Sequence, residues 1–311
     1  MKKGIMIVTL FLSFFLLSSC NSLYNKSGII IAFNTTISIS FDAPKDEADS
    51  VYDDIACLFK TYSDLSDRYN QKDCNNVYTI NHSDEFVEVN EVLIKLIKDS
   101  LYYQQLTNGY FNILVGNLSD IYKEIIETKD TSSLDRVSEE LENINNSSIE
   151  IINNRIKING SATIDLGAIA KGYALQAVID YLDVNNISNY LISAGTSSIG
   201  LGSKNGKDYR VGLKYDDTRI LNLQNIAIGS SSIHEQNATI DGTLYHHIIN
   251  PKTGRCENLY STIYLIGKDA SLIDALTTAF FNMPIDDIEN LCEEYDLKYL
   301  IYHDDVLAYQ K

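Results

Sequence analysis

The chain has 311 residues, 25 Lys and Arg against 42 Asp and Glu, and a formal net charge of −17. Phosphate contacts along a nucleic acid need clustered basic side chains, so this balance excludes nucleic acid as a partner. It also excludes electrostatic attraction to anionic headgroups, so a membrane location would need a lipid anchor.

The N-terminal "MKKGIMIVTLFLSFFLLSSC" has a basic start at Lys2 and Lys3, an apolar run from Ile5 to Leu17, and small residues before a cysteine. This is the pattern of an export signal, with a run shorter than the roughly 20 residues a spanning helix needs. Leu17-Ser18-Ser19-Cys20 resembles a bacterial lipobox, which makes 1–19 a lipoprotein signal peptide and Cys20 the lipidated first residue of a mature unit, 20–311. The expected location is the outer face of the cell membrane. Removal of 1–19 takes away two lysines and no acid, leaving 23 basic residues against 42 acidic ones, a formal charge of −19.

Residues 28–44 read as a hairpin of β-branched strands turning at Asn34. Apolar residues at Val51, Ile55, Leu58, Phe59 and Tyr62 predict a helix over 46–65, and Leu93, Leu96, Ile97 and Leu101 predict another over 91–108, with Gly109 as its stop. The polar stretch 128–148 has a weak helical pattern and reads as a surface excursion. "IEIINNRIKINGSATIDLG" predicts two or three short strands around an Asn-Asn turn, followed by a helix from about Ala168 to Leu182. Strands follow at 190–194, 209–214 and 220–223, then a hairpin around Asp241-Gly242. A strand at 260–266, the helix "ASLIDALTTAFFNM", and a closing helix with two strands complete the chain. Regular β-α alternation is absent, so the class is α+β. The four cysteines after Cys20 (Cys57, Cys74, Cys256 and Cys292) show neither Cys-x-x-Cys nor zinc spacing, and three prolines mark no interdomain linker.

Three stretches carry candidate chemistry. "TIDLGAIAKGYALQ" is a glycine-rich strand-to-helix turn, whose free N–H groups and helix dipole suit a phosphate. Lys171 lies one helical turn in, and Asp165 at the strand end suits a ribose hydroxyl or a ring N–H. In "DALTT", Asp274 and Thr278 are four residues apart and share a helix face, an incomplete oxygen set for Mg²⁺. In "YHHIINPKTG", neighbouring histidines of a strand face opposite sides, so at most one of His246 and His247 points into a given cleft. A neutral imidazole there is a credible general base.

"IDLGAIAKGYA", "HHIINPKTG" and "DALTTA", in this order, resemble the ApbE family of bacterial flavin transferases, the FAD:protein FMN transferases. The resemblance spans nearly the whole mature chain and implies a T-fold-related single catalytic unit, with mixed or antiparallel sheets and packed helices. It implies that FMN is transferred from FAD to a Thr or Ser of an acceptor protein with an FMN-binding domain, releasing AMP. Mg²⁺ would be held by the Asp274 carboxylate, the Thr278 hydroxyl and the Ala168 carbonyl. FAD would be contacted by Phe33, Tyr110, Phe111, Asn112, Asp165, Lys171, the backbone near Ile248, and Thr277. His247 falls on the histidine preceding the turn, so that His247, Asp274 and Lys171 form the catalytic set. The small residues at Gly167 and Gly172 would leave room for metal and pyrophosphate.

The chain departs from the family pattern at several points. Phe33-Asn34 replace Met-Gly, Asn112 and Asn250 replace carboxylates, and "AGTSS" (194–198) and "AIGSSSIHEQ" (227–236) are altered. Two other readings stay open: a Mg²⁺-dependent FAD pyrophosphatase giving FMN and AMP, and a non-catalytic flavin-binding lipoprotein.

Overall fold

The computed structural model describes residues 23–311; the expected signal peptide and Cys20 lie outside the described residues. β1 (Leu23–Ala32) and β2 (Thr35–Pro44) form the expected hairpin. Its turn, Phe33-Asn34, takes φ of +52° and +54°, the left-handed pair a two-residue I′ turn requires. α1 (Ala48–Ser66) buries Val51, Ile55, Phe59 and Tyr62 on one stripe. Next come α2 (Val77–Asn81), β3 (Val87–Glu88), α3 (Glu91–Leu106), α4 (Gly116–Thr128), a 3₁₀ turn (Ser132–Arg136) and α5 (Val137–Asn146).

β4 (Ser148–Ile152) and β5 (Arg155–Asn159) pair around Asn153. α6 (Ala170–Val184) leads to β6 (Tyr190–Ala194), β7 (Ser198–Leu201), and the hairpin β8 (Tyr209–Leu213) with β9 (Asp216–Leu223). β10 (Ile226–Ser232) precedes the hairpin β11 (Asn237–Ile240) and β12 (Thr243–His246). The chain closes with β13 (Thr262–Gly267), α7 (Ala270–Phe280), α8 (Ile285–Glu294), β14 (Lys298–His303) and β15 (Val306–Gln310).

Eight strands form the main sheet in the order β1-β2-β6-β7-β10-β13-β14-β15, and every pairing is antiparallel. β13 lies inside it with every residue buried, as its continuous apolar run requires. α1, α6 and α7 cover one face and make the large core. The β8–β9 hairpin covers part of the other, where Val211 and Leu213 pack with Ile228, Tyr264 and Leu300. α7 is buried nearly all round, so any polar group it carries needs a partner.

Two expectations take definite form. The excursion at 128–148 contains α5, which buries only Ile144 and lies at the surface. Its Val137 and Leu141 stand close to Gly254, so it braces the turn after His247. The run before the glycine turn gives two strands, within the two or three expected. Residues 162–166 form a tether held by Gly116 N–H to the Thr163 carbonyl (2.9 Å) and Asp165 N–H to the Ile113 carbonyl (2.7 Å). Asn81 completes it by donating to the Ile164 carbonyl (2.9 Å) and accepting from the Ile164 N–H (2.8 Å), as a neighbouring strand would.

Candidate active site

The site is built where α6 crosses α7. Asp274, in the middle of α7, is 6% exposed. Its Oδ2 accepts from the Gly172 N–H at 2.8 Å, and its Oδ1 accepts from the Ser198 hydroxyl of β7 at 3.2 Å. Burial pushes the Asp274 pKa up, opposed by the Lys171 charge and by these two donors.

Gly172 is the reason the helices approach so closely. A Cβ there would lie 2.3 Å from Asp274 Cβ and 2.4 Å from the Ala270 carbonyl oxygen. The space expected for metal and pyrophosphate at Gly172 is thus filled by α7; at Gly167 an added Cβ would meet only Asp165. Gly172→Ala is expected to lower stability by about 3 kcal/mol, as overpacking does, and to remove activity with it. Urea unfolding of the purified variant measures the first effect.

The Gly172–Asp274 bond has a consequence for the preceding turn. A helical N–H ordinarily bonds the carbonyl four residues back, which for Gly172 is Ala168. Here Tyr173 N–H bonds Ile169 and Ala170 N–H bonds Leu166, while Gly172 N–H turns to Asp274. Among the described residues, nothing donates to the Ala168 carbonyl. The Ala168 carbonyl is therefore left free one turn before the residue whose N–H the buried carboxylate takes. The Thr278 hydroxyl lies one helical turn beyond Asp274 in a half-buried position. Among the described residues no three His, Cys, Asp or Glu side chains cluster as a metal cage. One carboxylate, one hydroxyl and one carbonyl nevertheless suit Mg²⁺, which takes few protein oxygens and the rest from water and phosphate.

The two histidines separate as strand alternation requires. His246 is fully buried, edge-on to Phe281, with Nδ1 accepting from the Ile248 N–H at 3.2 Å. Burial holds its pKa down, to about 4, so it is neutral in the fold at physiological pH. His247 is open to the solvent, and its Nδ1 lies 3.3 Å from the Gln236 carbonyl. A carbonyl only accepts, so Nδ1 carries the proton and Nε2 keeps a free lone pair. Crowding by neighbouring atoms lowers the His247 pKa; the Gln236 bond opposes this and the Lys171 charge adds to it. Lys171 thus acts on both Asp274 and His247, and the fold gathers all three from separate stretches of chain.

Other expected contacts are narrowed or corrected. Thr277 is buried and donates to the Asp274 carbonyl at 2.9 Å, so its side chain belongs to the core and not to a cofactor surface. Phe111 is also in the core, edge-on to Tyr103. The Ile248 side chain is buried and its N–H is engaged by His246, which leaves its carbonyl as the available backbone contact. Asn112 accepts from the Leu114 N–H (2.9 Å) and Asn250 from the Lys252 N–H (2.9 Å), so each holds a local turn. Asn250 is buried and bonded to Glu257 as well. It is a structural residue, not a vacated carboxylate position in an open site. Tyr110 lies under the Lys252 ammonium, 4.2 Å from its ring centre. Phe33 donates its N–H to the Ser63 hydroxyl and packs half-buried on the core.

Sequence reasoning did not single out Ser198, because a hydroxyl in a serine-rich run carries no signal of its own. The Gln236 carbonyl was equally invisible as a backbone atom. Its neighbour Glu235 is anchored by Tyr215 (2.7 Å), Lys214 (2.8 Å) and Thr196 (3.0 Å), which fixes the loop beneath His247. A cleft of about 240 Å³ lined by Thr196, Ser197, Ile199 and Lys214 opens on the other face of the sheet. Alternation along β7 sends Ser198 toward α7 and its neighbours toward that cleft, so the cavity and the Asp274 chemistry lie on opposite sides.

The ApbE family model matches residues 33–301, and the chain belongs to the ApbE family. It is 26% identical over 255 residues to the FAD:protein FMN transferase of Vibrio cholerae, covering 76% of this chain and 72% of that protein. It is 22% identical over 291 residues to that of Haemophilus influenzae, covering 87% and 81%. The crystal structure of the ApbE protein from Thermotoga maritima superposes with a TM-score of 0.76 at 26% identity, covering 89% of this chain and 94% of the other. The flavin transferase ApbE from Vibrio cholerae superposes with a TM-score of 0.75 at 21% identity, covering 93% and 97%.

Proposed function

We propose that this chain transfers FMN from FAD to a Thr or Ser hydroxyl of an acceptor protein bearing an FMN-binding domain, forming a phosphoester and releasing AMP, with Mg²⁺ required. The observation that carries the reading is the diversion of the Gly172 N–H to the buried Asp274 carboxylate, which leaves the Ala168 carbonyl without a donor among the described residues. Asp274, Thr278 and that carbonyl would hold Mg²⁺, which when bound neutralises pyrophosphate charge.

The remaining work falls to the chain itself. The Lys171 charge acts on both Asp274 and His247, and would neutralise phosphate bound at that point. His247 accepts the hydroxyl proton at Nε2 as the oxygen attacks the phosphorus on the FMN side. The bond to the AMP phosphate oxygen breaks, and AMP leaves with the electron pair. The turn 165–168 brings backbone rather than side chains to this point. Positioning and charge dominate phosphoryl transfer, so such a sparse set suffices.

Incubation of the mature protein with FAD, Mg²⁺ and an FMN-binding-domain acceptor tests the reading, with acceptor fluorescence and AMP measured together. Flavin on the acceptor in step with AMP is the expected result. AMP with free FMN would make the chain an FAD pyrophosphatase, and neither product would make it a non-catalytic flavin-binding lipoprotein.

We also propose that Cys20 carries the lipid that holds the mature chain at the outer face of the cell membrane. Among the described residues no helix is long and apolar enough to cross a membrane, and the acidic surface offers no substitute attraction. Cys20→Ser is expected to move the protein from the membrane fraction to the soluble fraction or leave it unprocessed. Equal solubility of the wild type and the variant after export would refute the anchor.

A further inference from the structure

Arg68 follows α1 directly, and its side chain is only 8% exposed. Its two terminal nitrogens bind Asp120 of α4 bidentately, at 2.7 and 2.9 Å. The same guanidinium lies 3.0 Å from the Tyr69 hydroxyl, 3.4 Å from the Thr163 hydroxyl and 3.9 Å from Asp165 Oδ2. The other Asp165 oxygen accepts from the Gly167 N–H at 2.8 Å and so shapes the turn that leads to Ala168 and Lys171. Asp165 is thus held from both sides, by the turn and by Arg68.

Arg68 also sits where two segments of the proposed FAD site meet. The Tyr110–Asn112 segment joins the Asp165 tether through Asp165 N–H to the Ile113 carbonyl, and Gly116 N–H bonds the Thr163 carbonyl one step away. A Cβ on Gly116 would lie 2.4 Å from Thr163 Oγ1 and 2.7 Å from an Arg68 terminal nitrogen, so the chain is bare there to admit both the tether and the guanidinium. As a pure brace the arrangement is a poor one. Arg68 is buried while its partner Asp120 is half exposed, and taking the guanidinium out of water offsets much of what the pair gains. Arg68 Nε, moreover, is buried with no hydrogen-bond partner, a further cost. What a planar, forked cation supplies instead is direction: two hydrogen bonds clamp it on Asp120, and it presents its charge to Asp165 at 3.9 Å.

We propose that Arg68 is a positioning residue for FAD: it orients Asp165, and through it the glycine turn and the adjoining Tyr110–Asn112 segment, for nucleotide binding. The inference rests on the flavin reading of the site. Arg68→Lys keeps the charge but loses the fork. It is expected to raise the FAD dissociation constant about tenfold, read by flavin fluorescence with and without Mg²⁺, while the melting temperature stays within a few degrees of wild type. The transferase assay is expected to show KM rising by a similar factor with kcat little changed. Asp165→Asn should weaken FAD binding comparably. The double variant should be no worse than the weaker-binding single, since both act through one contact.

A lowered melting temperature with unaltered FAD affinity in Arg68→Lys would reduce Arg68 to a brace and overturn the proposal. Fully additive losses in the double variant would overturn it too. If Arg68→Lys does not fold, Asp120→Asn, which loosens the fork and leaves Asp165 in place, carries the test, and unaltered FAD affinity there overturns the proposal. Failure of the wild type to bind FAD is a different result, and it would overturn the flavin reading together with this inference.

Discussion

Asp274→Ala is expected to lower FMN transfer by at least about a hundredfold, the scale on which a single preorganised electrostatic contact contributes, and to abolish Mg²⁺ binding measured by calorimetry. Asp274 is the one carboxylate among the three proposed ligands, and magnesium dehydrates reluctantly, so a hydroxyl and a carbonyl are too weak a set to hold it against water. The substitution also leaves the Gly172 N–H and the Ser198 hydroxyl without their acceptor in a buried place. Each such loss costs about 1–3 kcal/mol, offset in part by the removal of a carboxylate whose own burial is unfavourable. A modest fall in melting temperature should therefore accompany the loss of activity.

Asp274→Asn separates the two effects. Its amide oxygen can still accept from Gly172, and its NH₂ can donate to Ser198, so the fold is retained. Activity should recover in part at raised Mg²⁺, because the amide oxygen still coordinates. Full activity of the alanine variant in chelator would remove Mg²⁺ from the mechanism.

His247→Ala is expected to lower kcat by about 10²–10⁴, the range for a lost general base, with FAD affinity much less affected. His247 works as a base only when neutral, so activity falls as pH drops through its pKa. That pKa lies below the ordinary value, first because of crowding, so the acidic limb of the pH–rate profile belongs below about pH 6.5. The limb should vanish in His247→Ala. His246→Ala makes the contrast: His246 is buried against Phe281 and bonds the Ile248 N–H, so its loss should appear as a lower melting temperature. FAD affinity falling in step with rate in His247→Ala, and a profile of unchanged shape, would assign His247 to flavin packing and withdraw the base.

Much of the architecture was legible because periodicity reports burial directly. The stripe Val51, Ile55, Phe59 and Tyr62 forms the buried face of α1, and the Asn34 and Asp241-Gly242 turns lie where left-handed backbone was called for. α4 and α5 were harder to read. α5 has few apolar residues, and its Val137 and Leu141 matter because the turn at Gly254 comes to meet them.

Candidate ligands on one element, Asp274 and Thr278, follow from helix geometry alone, and the opposite facing of His246 and His247 follows from strand alternation. These are short-range facts, set by covalent geometry and available in any sequence. The sequence also determined the acidic composition and the three motifs that carry the family resemblance. Only the tertiary structure decided what Gly172 is for, since the atoms a Cβ would strike belong to α7, about a hundred residues away. The same long-range packing decided that Ser198 bonds Asp274, that the Gln236 carbonyl sets the His247 proton, and that Arg68 faces Asp165. Such contacts join backbone atoms and ordinary polar side chains brought together by the crossing of helices over a sheet, and no local pattern of residues encodes them.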